Sequence, residues 1–299
     1  MKAFFTILCS AMLGIAVTSC EKPILDENET NRQEQTKDQK GNVVIRVSDF
    51  RLIPADEATR AVVDITTYCT RLNFVVYKDG AKVEGRSQMA GDSDFGETTM
   101  SLEPGTYKLL VLAHSSNGGN PTLTDPENIP FTNALGFTDT FCYYDDIVVT
   151  NEPKTHEVML NRASTMLRFN ITDEAPSNLK YMQFYYTGGS GVLNAVTGFG
   201  GSVNSQQKVL INVENSIDDL PPLKIYTFLQ EDEGTLDVTV TAMDADKNTI
   251  IERKFENVPV KRKMVTDYTG TFFNHFNDNT FSFKAETDWQ VYQQHTFSF

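Results

Sequence analysis

Several groups of residues have the types that chemistry needs, and their spacing decides whether they can act together. His156-Glu157 opens like a zinc-hydrolase helix, in which two histidines four residues apart share one face. Leu160 stands where the second His is needed, and His114, His275 and His295 are scattered along the chain. Asp244-x-Asp246-x-Asn248 begins like a calcium loop. Its sixth position is Thr249 where glycine makes the sharp turn, and its twelfth is Phe255 where a bidentate glutamate is required. Gly188-Gly189-Ser190-Gly191-Val192 nearly repeats a nucleophile elbow, but Val192 replaces the closing glycine and no strand-to-helix setting surrounds it. Gly198-Phe199-Gly200-Gly201 has no following Lys-Ser/Thr and no helix to present its amides to phosphate. Both glycine clusters therefore read as flexible loops, and Asp244–Asn248 as a turn. With 40 acidic residues some pair always falls at glycosidase spacing, so their abundance is not diagnostic. The expectation is a protein that is not an enzyme and uses neither metal nor cofactor.

The cysteines carry more. Lys2 and the apolar run through Val17 form an export signal too short to span a bilayer. Val17-Thr18-Ser19-Cys20 resembles a bacterial lipobox, so residues 1–19 read as a lipoprotein signal and Cys20 as the diacylated mature N-terminus; the plainer alternative is a thiol beside an ordinary cleavage site. Two or three acyl chains hold a protein on a membrane far more firmly than one. Residues 20–42 are polar and charged with little to bury, and read as a linker. Cys9 leaves with the signal, which puts Cys69 and Cys142 in an oxidising compartment. They either pair, which needs Cα atoms within about 7 Å, or remain two buried small apolar residues.

The elements that would position these residues are strands. A chain of 299 residues that is 40% hydrophobic, with 20 Phe and 11 Tyr, is folded, and its net charge of −14 argues against nucleic acid as a partner. Short alternating or apolar runs recur between Gly, Asn, Asp and Pro: Val43–Val47, Leu72–Tyr77, Thr106–Ala113, Thr140–Val149, Leu167–Ile171, Tyr181–Thr187, Lys208–Val213, Ile225–Leu229, Leu236–Met243, Thr249–Phe255 and Met264–Phe273. Asp79-Gly80 signals a hairpin. The polar segment Asn151-Glu152-Pro153-Lys154 separates two strand sets of similar size. The all-β reading is thus two tandem β-sandwiches, 43–153 and 154–299, the second with a terminal extension.

Four sequence words then stand in order: Cys69-Thr70-Arg71-Leu72-Asn73-Phe74, Leu102-Glu103-Pro104-Gly105-Thr106-Tyr107-Lys108-Leu109, Phe137-Thr138-Asp139-Thr140-Phe141, and Gln183–Ser190 followed by Ala195-Val196-Thr197-Gly198. Together, from the lipobox to about Phe273, they resemble the FimB/Mfa-type fimbrial subunits of Bacteroidales. The resemblance implies two transthyretin-like sandwiches on an outer-membrane, lipid-anchored chain at the cell surface. Its partners would be other fimbrial subunits, joined by strand exchange. It also implies that shaft members are cut by an Arg-specific protease that removes the first strand, whereas anchors keep it. Here Val43–Val47 is that strand, and Arg60-Ala61 is either the processing site or an ordinary loop. Asn279–Phe283 and Thr296–Phe299 are either a last hairpin or a donor segment. The competing reading is a monomeric surface glycan-binding lipoprotein, in which Trp289, Tyr292, Tyr143 and Tyr144 would stack on sugar rings; a single Trp in the chain weakens it.

Overall fold

A computed structural model of the chain describes residues 42–51, 64–201, 206–216, 219–274, 281–282 and 296–297. Apart from 3-10 turns at Ile65–Thr67 and Glu214–Ser216, every regular element among them is a strand, and the all-β expectation holds. The first eight are β1 (Val43–Arg51), β2 (Arg71–Lys78), β3 (Ala81–Met89), β4 (Glu97–Met100), β5 (Gly105–His114), β6 (Ile129–Pro130), β7 (Phe141–Val149) and β8 (Lys154–Arg162). They are followed by β9 (Thr165–Ile171), β10 (Tyr181–Thr187), β11 (Val192–Asn194), β12 (Phe199–Gly200), β13 (Gln207–Asn212) and β14 (Leu223–Thr227). The last are β15 (Glu233–Met243), β16 (Thr249–Lys261), β17 (Val265–Gly270), β18 (Phe281–Ser282) and β19 (Thr296–Phe297).

Seven strands form a sheet in the order β3-β2-β5-β7-β8-β1-β4. β7 meets β8 only at Phe141↔Arg162 and Cys142↔Asn161, and there the ladder turns a corner. One apolar cluster draws on both sides of that corner, taking Leu72, Phe74, Leu109 and Val111 from one and Val43, Ile45, Val158 and Leu160 from the other. The outer strands are tied by the buried Gln88 of β3, whose Nε2 donates to the carbonyls of Asp94 and Glu97 (2.9 and 2.6 Å) while its Oε1 accepts from Gly96 N–H. Of the later strands, most form two sheets, β13-β10-β15-β16 and β14-β9-β17-β18-β19, around a second cluster centred on Phe169, Phe184, Val238 and Tyr268, while β11 and β12 pair with β6 in a small sheet of order β12-β11-β6.

Both sandwiches follow one plan. With β6, β11 and β12 of the small sheet set aside, the first strand of each (β1 or β9) lies between the fourth (β4 or β14), antiparallel to it, and the seventh (β8 or β17), parallel to it. The other strands run third-second-fifth-sixth, as β3-β2-β5-β7 and β13-β10-β15-β16. Both belong to one unit, Lys40–Phe299. A third cluster joins them, with Val75, Leu110 and Leu112 from the outer face of β2 and β5 packed on Ile129, Phe131, Leu193 and Phe228. β2 and β5 are thus covered on both faces, which is why they read as continuous apolar runs.

Three expectations change. The boundary expected at 153/154 moves to Ala163-Ser164, because β8 completes the first sandwich and Asn151-Glu152-Pro153 is the turn joining it to β7. Asn42, placed in the linker, belongs to the fold. Cys69 and Cys142 do not pair: both are free, Cys69 in the first core and Cys142 in the third cluster on the opposite face of the sheet. Burial pushes both thiols up to about 12. Iodoacetamide should therefore leave both cysteines unmodified in the native protein and alkylate both in denaturant, as read by peptide mass spectrometry; rapid native alkylation of either would contradict its burial.

Candidate assembly strand

β1 has the sequence VVIRVSDFR, alternating until Val47. The register shifts between Val47 and Asp49, so the bulge at Ser48 turns Phe50 inward where strict alternation would turn it out. Val43, Ile45, Val47 and Phe50 are at most 5% exposed. At about 1.5–3 kcal/mol for each fully buried side chain of this size, the gross gain is on the order of 6–12 kcal/mol, an upper bound on an extended-chain reference. β1 is hydrogen-bonded on both sides, by β4 and by β8, and its exposed Arg46 reaches Glu97 and Glu157 from those same neighbours.

Both ends are fastened. Asn42 Nδ2 donates to the carbonyls of Leu102 (2.7 Å) and Thr150 (3.1 Å), its Oδ1 accepts from Leu102 N–H, and its own carbonyl accepts from Lys154 N–H. At the other end Phe50 stacks on Tyr68 (5.0 Å, 22°) and meets Phe141 edge-on. The Asp64 carboxylate accepts from the Thr66 hydroxyl and from Thr66 N–H and caps the 3-10 turn, bonds that hold its pKa below the usual carboxylate value. Sequence reasoning missed Asn42 and Phe50, since a lone Asn has no signature and the bulge changes the period.

Withdrawing such a strand would open a groove floored by the first core and walled by unpaired edges of β4 and β8, which an alternating strand can fill. Cys20 and Arg60-Ala61 lie outside the described residues, as do His275, His295, Trp289 and Tyr292. Of the C-terminal segment, β18 and β19 extend the second sandwich through Thr269↔Ser282 and Phe281↔Phe297. No helix among the described residues is long and apolar enough to cross a membrane.

The residues tested for catalysis are dispersed. Ser190 is fully buried, with its hydroxyl bonded to Val192, out of reach of a substrate. The glycines before it are not a flexible loop, as expected, but a close contact: Gly188 has φ +96 against the Thr235 carbonyl, and a Cβ on Gly189 would fall inside the side chain of Thr227, a buried β-branched residue. Gly189→Ala is expected to lower stability by about 1–3 kcal/mol in urea unfolding, and an unchanged midpoint would contradict this contact. Asp244 accepts from the N–H groups of Asp246 and Asn248 in the expected turn. Tyr143 and Tyr144 are consecutive in β7, one packed on the first core and the other on the third cluster, so they do not share a sugar platform.

His114 is buried in β5, with Nδ1 accepting from Ser116 N–H and Nε2 facing Asn73. Burial, aided by the charge of Arg71, lowers its pKa from 6.5 to about 4. Because the folded value lies below the unfolded one, its contribution is intact above pH 6.5 and is lost as pH falls towards 4, a change on the order of 3 kcal/mol. His114→Asn should flatten that part of the stability–pH curve; an unchanged slope would assign the acid sensitivity elsewhere.

The profile of a family described as a family of unknown function, DUF6562, matches residues 35–296. No curated protein matches the chain. Among solved structures, a candidate polysaccharide-binding protein (DUF1812) from Bacteroides thetaiotaomicron is similar at TM-score 0.50 and 8% identity, over 87% of this chain and 99% of that one. A candidate adhesin from Bacteroides ovatus is similar at TM-score 0.47 and 14% identity, over 81% and 88%. The fimbrial anchor protein Mfa2 from Porphyromonas gingivalis is similar at TM-score 0.43 and 12% identity, over 86% and 100%. At these identities the likeness is one of fold, and it rests on the first.

Proposed function

The chain belongs to the DUF6562 family, a family of unknown function, and we propose that it is a structural, membrane-anchored component of a surface fimbria. The observation that carries this reading is β1, a first strand with its apolar residues buried, hydrogen-bonded on both sides and inserted parallel to the last strand of its own sandwich. In this reading β1 is the strand that fimbrial subunits exchange, and the four sequence words that resemble FimB/Mfa-type subunits supply the context. In this reading Cys20 carries the lipid and the segment from there to residue 41 spaces the fold from the outer membrane. Arg60-Ala61 stays uncut in an anchor, which keeps its own β1 and meets the polymer through another edge; the extension that begins at β18 is the docking candidate.

Two experiments test it. Surface material from cells making the protein should contain it in high-molecular-weight polymers that heat dissociates, and its appearance only as a monomer would reject the fimbrial role. Cys20→Ala should shift the protein out of the detergent phase, and equal partitioning of the variant would reject the lipid anchor alone.

A further inference from the structure

The outer face of the sheet formed by β14, β9 and β17 carries two rows of residues in register. Tyr226, Met166 and Val265 form one row, and Lys224, Arg168 and Asp267 the next. Asp267 is fully buried and accepts the Arg168 guanidinium through both oxygens, at 2.5 Å each. Lys224 stands directly across the ladder from Arg168 and makes no ion pair with any described residue. From the first sandwich Arg162, bidentate to Asp139 (3.0 and 2.8 Å), and Tyr68 close the space above the rows into a cleft of about 490 Å³. That volume suits a small ligand.

The two guanidinium groups are already matched by Asp139 and Asp267, so the uncompensated charge of the cleft is the single positive charge of Lys224, on a chain of net charge −14. One such charge suits a monoanion better than a phosphate dianion. The floor is amphipathic, with Met166, Val265 and the Tyr226 ring beside polar groups, as a sugar ring with one C–H face and a hydroxyl rim requires. The geometry points to a binding site for a carboxylated sugar, with Lys224 holding the carboxylate and the Tyr226 row receiving the ring. The site does not depend on the fimbrial reading, since a monomer would bind equally.

Calorimetric titration of the full chain with methyl galacturonoside, a monoanion, as probe tests it. Saturable binding is expected, weakened at least tenfold by Lys224→Ala, a substitution of an exposed side chain on the edge strand β14, and unchanged by Lys208→Ala, which lies on β13 outside the cleft. The neutral methyl galactoside should bind at least tenfold more weakly, and added salt should weaken only the acidic probe. Absence of saturable binding, equal affinity for the neutral sugar, acetate binding as tightly as the uronate, or indifference to Lys224→Ala would each overturn the site.

Discussion

Ile45→Asp unfolds the first sandwich. Ile45 is fully buried in β1, between β4 and β8, and the substitution removes a core side chain while placing a carboxylate in the cluster of Phe74, Val111 and Leu160. Losing the side chain costs about 2–5 kcal/mol by itself, and an unpaired buried charge adds several more, against a total stability of about 5–15 kcal/mol for a domain. Circular dichroism should show lost cooperative unfolding or a large fall in the urea midpoint. Two controls bracket the effect. Ile45→Val should cost about 0.5–1.5 kcal/mol. Arg46→Ala, next door but with a half-exposed ion pair to Glu97, should cost under about 1 kcal/mol. A mild effect of Ile45→Asp would show that β1 does not fill the groove.

The second large effect is expected at Arg168. Its partner Asp267 has no solvent exposure, so Arg168→Leu strands a buried carboxylate, at a cost of about 3–5 kcal/mol. The double substitution Arg168→Leu with Asp267→Leu should recover much of that loss, because apolar residues of similar volume can replace a buried pair with little net change. Urea unfolding of the four proteins in the cycle gives the coupling directly. Equal stability of the single and double variants would contradict a buried, mutually dependent pair.

The strands that were legible in the sequence are those whose residues face a core. β2, β5, β10 and β15 announce themselves by apolar runs or by alternation such as Tyr181–Thr187. β3 escapes because it is an edge strand, with Lys82, Glu84 and Arg86 along AKVEGRSQM. β8 escapes because Lys154, His156 and Glu157 make its first half look like a continuation of the polar turn before it. That error moved the boundary between the sandwiches, since a Pro-containing hairpin turn and an interdomain linker have the same composition.

The two candidate sites differ in the same way. The inward residues Val43, Ile45 and Val47 can be read along the chain because a strand's own period reveals them. The cleft cannot: Lys224 and Arg168 become neighbours only through the register of β14 on β9, and Arg162 and Tyr68 arrive from the other sandwich. Gln88 and Asn42, which tie the edges of the first sandwich, are likewise defined by partners distant in sequence.

The anchor reading is tested most directly by mass spectrometry of the mature N-terminus in heat-sensitive polymers extracted whole from the outer membrane with mild detergent. A diacylated Cys20, with residues 20–60 retained and β1 in its own groove, is the predicted result. A chain in those polymers that begins at Ala61 would contradict the anchor role, and polymers that lack the chain altogether would contradict the fimbrial one.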